Sequence, residues 1–81
     1  MTDAQIYEKL TPIFQDVFDD DDLVPVPELA AKDVDTWDSL SHIRLILAIE
    51  SNFKIKFSSA EVSSFKNVND LVHTVRHKLN A

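Results

Sequence analysis

The chain has 81 residues, 44% of them hydrophobic and 27% charged, with a net charge of −6; this is the balance of one globular domain, which buries about 60–65% of the surface its unfolded chain exposes. It contains no glycine and no cysteine, which excludes the dinucleotide fingerprint, the P-loop and the EF-hand turn on one side, and disulfides, thiolate metal sites and thiol nucleophiles on the other. No apolar run approaches the roughly 18 residues of a membrane span, and the acidic start lacks the basic region of a secretion signal, so a soluble, cytoplasmic domain is expected over residues 1–81.

Charge is unevenly laid out. Residues 1–40 hold eleven acids and two bases, a balance of −9, whereas residues 41–81 hold three acids and six bases, a balance of +3. An acidic chain without a basic patch disfavours nucleic acid and anionic membrane surfaces, and favours encounter with basic protein partners. The run Asp19 to Asp22 reads as a solvated loop, because a calcium loop needs a glycine and alternating ligand positions that are missing.

Four segments show helical periodicity. In the first, Ile6, Leu10, Ile13, Phe14, Val17 and Phe18 form one apolar stripe, and Thr2 with Gln5 three residues later reads as a capping box. Pro12 interrupts the backbone hydrogen bonding of this segment, which predicts a kink or a restart capped by Thr11, the kink being preferred because the apolar phase survives. Residues 20–38 then lack a helical period; so long a loop is functional or packed by its own side chains, with Leu23, Val24, Val26, Leu29 and Val34 available for that packing.

The apolar period returns at Leu40 and runs through Ile43, Ile46, Leu47, Ile49 and Phe53, predicting the central helix. Residues 53–57 alternate like a half-buried strand, but one strand without a partner makes no sheet, so an extended connection is predicted. Ser58 or Ser59 with Glu61 starts a short helix through Val62 and Phe65. Asn67 with Asp70 caps the last helix, whose stripe is Val68, Leu71, Val72, Val75 and Leu79, with Lys78 suiting its C-terminal end. The expected fold is all-α: a four-helix bundle, three helices long and one short, with a long loop between the first two.

Asp38-Ser39-Leu40 lies where the acidic loop meets the central helix. A serine at a helix start is exposed beside backbone N–H groups without intrahelical partners, an environment that suits a phosphate ester, and a carboxylate one residue earlier could hold a Mg²⁺ arriving with a pyrophosphate-containing donor. The competing reading is that Asp38 or Ser39 only caps the helix. Ser39 and His42, three residues apart, invite a hydrolase reading, but no orienting acid or oxyanion hole accompanies them. His73 and His77 share a helix face, and with Asp70 would offer metal ligands without a fourth. The rivals to a modified serine are thus an unmodified interaction module with an acidic partner-binding face and a small metal-binding helical protein.

The stretch Thr36-Trp37-Asp38-Ser39-Leu40-Ser41-His42-Ile43, followed by Ala48-Ile49-Glu50 and Phe53, resembles the acyl carrier proteins of fatty-acid and polyketide-type pathways, and the likeness covers the whole helical pattern. The resemblance implies that a phosphopantetheinyl transferase attaches 4′-phosphopantetheine from coenzyme A to Ser39, with Asp38 helping to bind Mg²⁺. It implies that acyl-loading and acyl-processing enzymes read Leu40, Arg44 and Trp37 on a monomeric carrier that is not itself an enzyme, and that the acyl chain lies against Leu45, Ile46, Leu47, Ile49, Phe53, Phe57, Val62 and Phe65. Phe57 and Phe65 replace the aliphatic residues of common fatty-acid carriers, which suggests a narrower pocket and a short or polar cargo. Trp37 stands where many members have a small residue, so it braces the loop or touches the arm. Arg44 stands where fatty-acid carriers usually have an acid, which favours a specialised pathway. The paired glycines that precede the serine of peptidyl carriers are missing.

Overall fold

A computed structural model describes residues 2–80. Among these, helices α1 (Asp3–Val17), α2 (Ser39–Phe53), α3 (Ser59–Ser64) and α4 (Val68–Leu79) follow one another without a strand, three long and one short. The Thr2 hydroxyl accepts from Gln5 N at 3.3 Å while the Gln5 side chain accepts from Thr2 N at 2.9 Å, the reciprocal capping box expected for α1. Helix α1 continues through Pro12 with no restart, and Thr11 donates its hydroxyl to the Tyr7 carbonyl instead of capping.

The core is built from the stripes that face one another. Ile6, Leu10, Ile13, Phe14 and Phe18 of α1 and its end meet Leu45, Ile46, Ile49 and Phe53 of α2 and Val68, Leu71, Val72 and Val75 of α4. No charged or polar side chain joins this set among the described residues. The pair Arg76 and Asp3, 3.1 Å apart, ties α4 to the start of α1 at the exposed edge of their contact.

Two helices end in residues with left-handed backbone, Asp19 (φ 51°) just past α1 and Lys54 (φ 57°) at the end of α2. Glycine is the usual choice there, and this chain has none. Past Lys54 the chain runs to α3 without helix or strand, its last residue Ser58 extended, and Glu50 holds it in place by accepting from Phe57 N at 2.8 Å.

The loop between α1 and α2 is packed and hydrogen-bonded. Leu23, Leu29 and Val34 turn onto the core as expected, whereas Val24 and Val26 stay exposed and Pro25 is buried in their stead. A short 3₁₀ turn at Ala31–Asp33, absent from the sequence-based expectation, places one of its carboxylate oxygens on Ala30 N. The first backbone N–H groups of α4, which have no partner within their own helix, donate to this loop: Val68 N to Leu29 O at 2.9 Å and Asn69 N to Pro27 O at 3.0 Å. The loop is thereby fixed from the far end of the chain, and its last residues deliver Trp37, Asp38 and Ser39 to the start of α2.

Candidate functional site

Asp38 is the residue that caps α2. Its carboxylate accepts from Ser41 N at 2.9 Å and its carbonyl accepts from His42 N at 2.9 Å. Ser39 therefore occupies the first helical position rather than the cap, exposed, with its hydroxyl not committed to ending the helix. The arrangement leaves a nucleophilic oxygen at the positive end of a 15-residue helix, next to an exposed carboxylate.

The Ser41 backbone N–H, then the Ser41 hydroxyl, hold the Asp38 carboxyl below its ordinary value of 3.8. The Ser58 backbone N–H, then the Lys78 ammonium, do the same for Glu61, ordinarily 4.5. A group whose pKa is lower in the folded chain binds protons less readily there, so its contribution is complete above the ordinary value and lost as pH falls through the folded one. Urea midpoints are expected to be flat near neutrality and to fall on acidification below about pH 5. Asp38→Asn, which still caps, should flatten part of that slope; an unchanged slope would show that the capping carboxylate does not contribute.

Helix α2 presents two apolar faces. Leu45, Ile46, Ile49 and Phe53 are buried, whereas Leu40, Ile43 and Leu47 are 67%, 53% and 59% exposed. Leu47 thus departs from the pocket set in which the sequence placed it: the spacing of 40, 43 and 47 puts it on the outward stripe, about 200° around the helix from Leu45. Phe57, Val62 and Phe65 are half-buried on the α3 side rather than in the central core, with Phe57 and Phe65 edge to face at 5.6 Å. Arg44 is exposed beside the outward stripe and forms no ion pair among the described residues.

Trp37 turns inward. Its ring packs on Phe14 at 5.7 Å and Phe18 at 5.3 Å, and its indole N–H donates to His42 Nδ1 at 3.1 Å. An aromatic body with a hydrogen-bonded tip braces the end of the loop against α1, one of the two roles expected for it, and its half-buried ring also lines the groove beside Ser39. His42, already set aside in the sequence as a catalytic partner for Ser39, takes a structural role that the sequence did not show: it lies between Trp37 and α3, with Nε2 2.8 Å from Val62 O. A groove of about 520 Å³ beside Ser39 is lined by Trp37, His42, Ile43, Val62 and Phe65. A second depression of about 450 Å³, between Pro12 and Ala48, shares no residue with it and lies away from the serine.

The metal alternative does not assemble. Asp70 accepts from Lys66 N at 3.1 Å, His73 Nδ1 lies 3.3 Å from the Arg76 guanidinium, and no group of three ligating residues comes together among the described residues. No described helix is long and apolar enough to cross a membrane.

No family model matches the chain. Among curated proteins it is 32% identical to an acyl carrier protein of Thermosynechococcus vestitus over 81 residues, which is 100% of both chains. It is also 32% identical to an acyl carrier protein of Petrotoga mobilis, over 99% of this chain and 94% of that one. Among solved structures, the solution structure of a holo acyl carrier protein from Geobacter metallireducens superposes with a TM-score of 0.86 at 50% identity, covering 91% of this chain and 85% of that one. With matches of this extent and an Asp38-capped serine at the head of its second helix, the chain belongs to the acyl carrier protein family and is a carrier rather than an enzyme.

Proposed function

We propose that Ser39 is the attachment point of 4′-phosphopantetheine and that the chain presents acyl groups to the enzymes of a specialised pathway. The observation that carries this reading is the division of labour at the start of α2: Asp38 takes the cap, and Ser39 is left exposed with its hydroxyl uncommitted. The surroundings fit a phosphodiester, because unpaired N–H groups and the helix dipole favour an anion and the groove beside Ser39 gives an arm a surface to follow. In the attachment step Ser39 Oγ forms the new P–O bond, the phosphoanhydride of coenzyme A breaks, the adenosine bisphosphate leaves, and the hydroxyl proton passes to a base of the transferase. Asp38 would supply one ligand to the Mg²⁺ that accompanies the donor. Once attached, the arm offers a terminal thiol that carries acyl groups as thioesters; the domain positions them.

Leu40, Ile43 and Leu47 form the apolar part of the surface that partner enzymes read, with Arg44 as its charged element. A partner suited to this face places an apolar patch against the stripe and a carboxylate near Arg44, the opposite of a partner that reads an acid there. Arg44→Glu is expected to slow loading by such a partner roughly two- to tenfold at low salt, with the gap narrowing as salt is raised, and to leave the fold intact. Unchanged rates with every loading enzyme that acts on the parent would remove Arg44 from the recognition surface. The carrier reading itself is tested by incubating the chain with coenzyme A, Mg²⁺ and a broad-specificity phosphopantetheinyl transferase and measuring intact mass, where a gain of one phosphopantetheine is expected.

A further inference from the structure

His42 joins three parts of the fold: the end of the loop, α2 and α3. It stands on α2, takes the Trp37 indole N–H on Nδ1 at 3.1 Å, and places Nε2 2.8 Å from the Val62 carbonyl of α3. An indole nitrogen can only donate, so Nδ1 is the acceptor and Nε2 carries the proton that goes to Val62 O. The Trp37 bond thus selects the tautomer that binds α3. Val62 belongs to the last turn of a six-residue helix, whose carbonyls have run out of intrahelical donors, and the imidazole supplies one.

Helix α3 is too short to stand alone and depends on such ties. Its start is held by the Ser58–Glu61 capping box, and its middle is tethered to α4 through Glu61 and Lys78 at 2.9 Å. The bond from His42 is its polar tie to α2. It spans the seam between α2 and α3 in the groove beside Ser39, whose lining stops short of the fully buried Leu45 and Ile49, and the rings of Trp37 and Phe65 flank it, at 6.2 Å and 6.4 Å from the imidazole.

We propose that His42 latches α3 to α2 across this seam, so that an acyl chain held at Ser39 lies in the surface groove along Trp37, Ile43 and Phe65 instead of entering the core. The proposal rests on the carrier reading above and sets what that carrier can hold: the latched form leaves even a medium-length acyl chain outside, accessible to partner enzymes and to solvent. His42 acts as a positioning residue, through α3, and has no part in bond making.

The test uses acetyl and octanoyl thioesters of the modified chain, with attachment verified by mass, and reads their cleavage by hydroxylamine and the methyl NMR shifts of Leu45 and Ile49. Each methylene moved from water into the core favours the inward position about fourfold, so a chain that buries two or more gains roughly tenfold protection. In the parent, octanoyl and acetyl thioesters should cleave within about twofold of one another, with the core methyls unmoved, since no methylene is buried. In His42→Ala, octanoyl should become roughly tenfold slower than acetyl and the core methyls should shift, as two methylenes find the core. His42→Gln, whose amide keeps a donor near the Nε2 position, should retain the parent's behaviour, and His42→Asn, whose shorter amide falls short of Val62 O, should follow alanine even if the alanine variant fails to fold. Protection of octanoyl in the parent, or no protection in a folded His42→Asn variant, would overturn the latch while leaving the carrier reading intact. Failure of the parent to take the arm at all would overturn both.

Discussion

Ser39→Ala is expected to abolish attachment of the phosphopantetheine arm and to leave stability within about 0.5 kcal/mol of the parent. The two halves of this expectation come from the same geometry. The oxygen that forms the phosphodiester is gone, yet the side chain that ends the helix is Asp38, whose carboxylate accepts from Ser41 N at 2.9 Å. Had the serine been the cap, its loss would weaken the fold by about 0.5–2 kcal/mol. A urea midpoint for Ser39→Ala that matches the parent, together with absent modification, separates a functional hydroxyl from a structural one. Asp38→Asn is the complementary change: asparagine caps as well as aspartate, so the helix start is kept while the carboxylate available to Mg²⁺ is removed and attachment slows.

The largest loss of stability is expected from Phe14→Ala. Phe14 is fully buried on α1, with Phe18 at 5.8 Å and Trp37 at 5.7 Å, so it links the helix to the loop that carries the serine. Truncating such a ring costs about 3–5 kcal/mol through lost burial and the cavity left behind. A domain of this length holds only about 4–12 kcal/mol in total, so the variant sits near the edge of folding. The chain's single tryptophan is the reporter, since Trp37 packs on the deleted ring and its fluorescence follows both the local and the global change. A loss below about 1 kcal/mol would contradict the placement of Phe14 at the centre of the core.

The four helices were legible because each announces itself twice, by an apolar period of 3.6 and by a capping residue. Thr2 with Gln5, Ser58 with Glu61, and Asn67 ahead of Asp70 all cap as their spacing predicts. The capping carboxylate of Asp38 was one of two readings the sequence left open, and the fold decides it because the choice depends on which oxygen reaches Ser41 N.

What escaped the sequence is held by contacts between distant residues. The loop of residues 20–38 has no period of its own, and its order comes from Val68 N and Asn69 N at the start of α4. The 3₁₀ turn at Ala31–Asp33 is too short to leave a periodic trace. Leu47 was misplaced because a helix apolar on two faces offers no contrast by which to choose the inward one; 59% exposure settles it. The sequence could set His42 aside as a catalytic partner of Ser39 but not show its role, because both ring nitrogens engage groups that the fold brings to it. Trp37 was legible as an unusual residue beside the serine, and its inward turn follows from Phe14 and Phe18, some twenty positions earlier.

The central claim is that Ser39 carries the arm, and its closest competitor is Ser41, two residues on and on the same helical turn. The direct measurement is fragmentation mass spectrometry of the modified chain, reading which serine in the segment from Asp38 to Arg44 holds the added phosphopantetheine. The account predicts that the whole gain localises to Ser39. Modification at Ser41, or retention of the gain in Ser39→Ala, would contradict it.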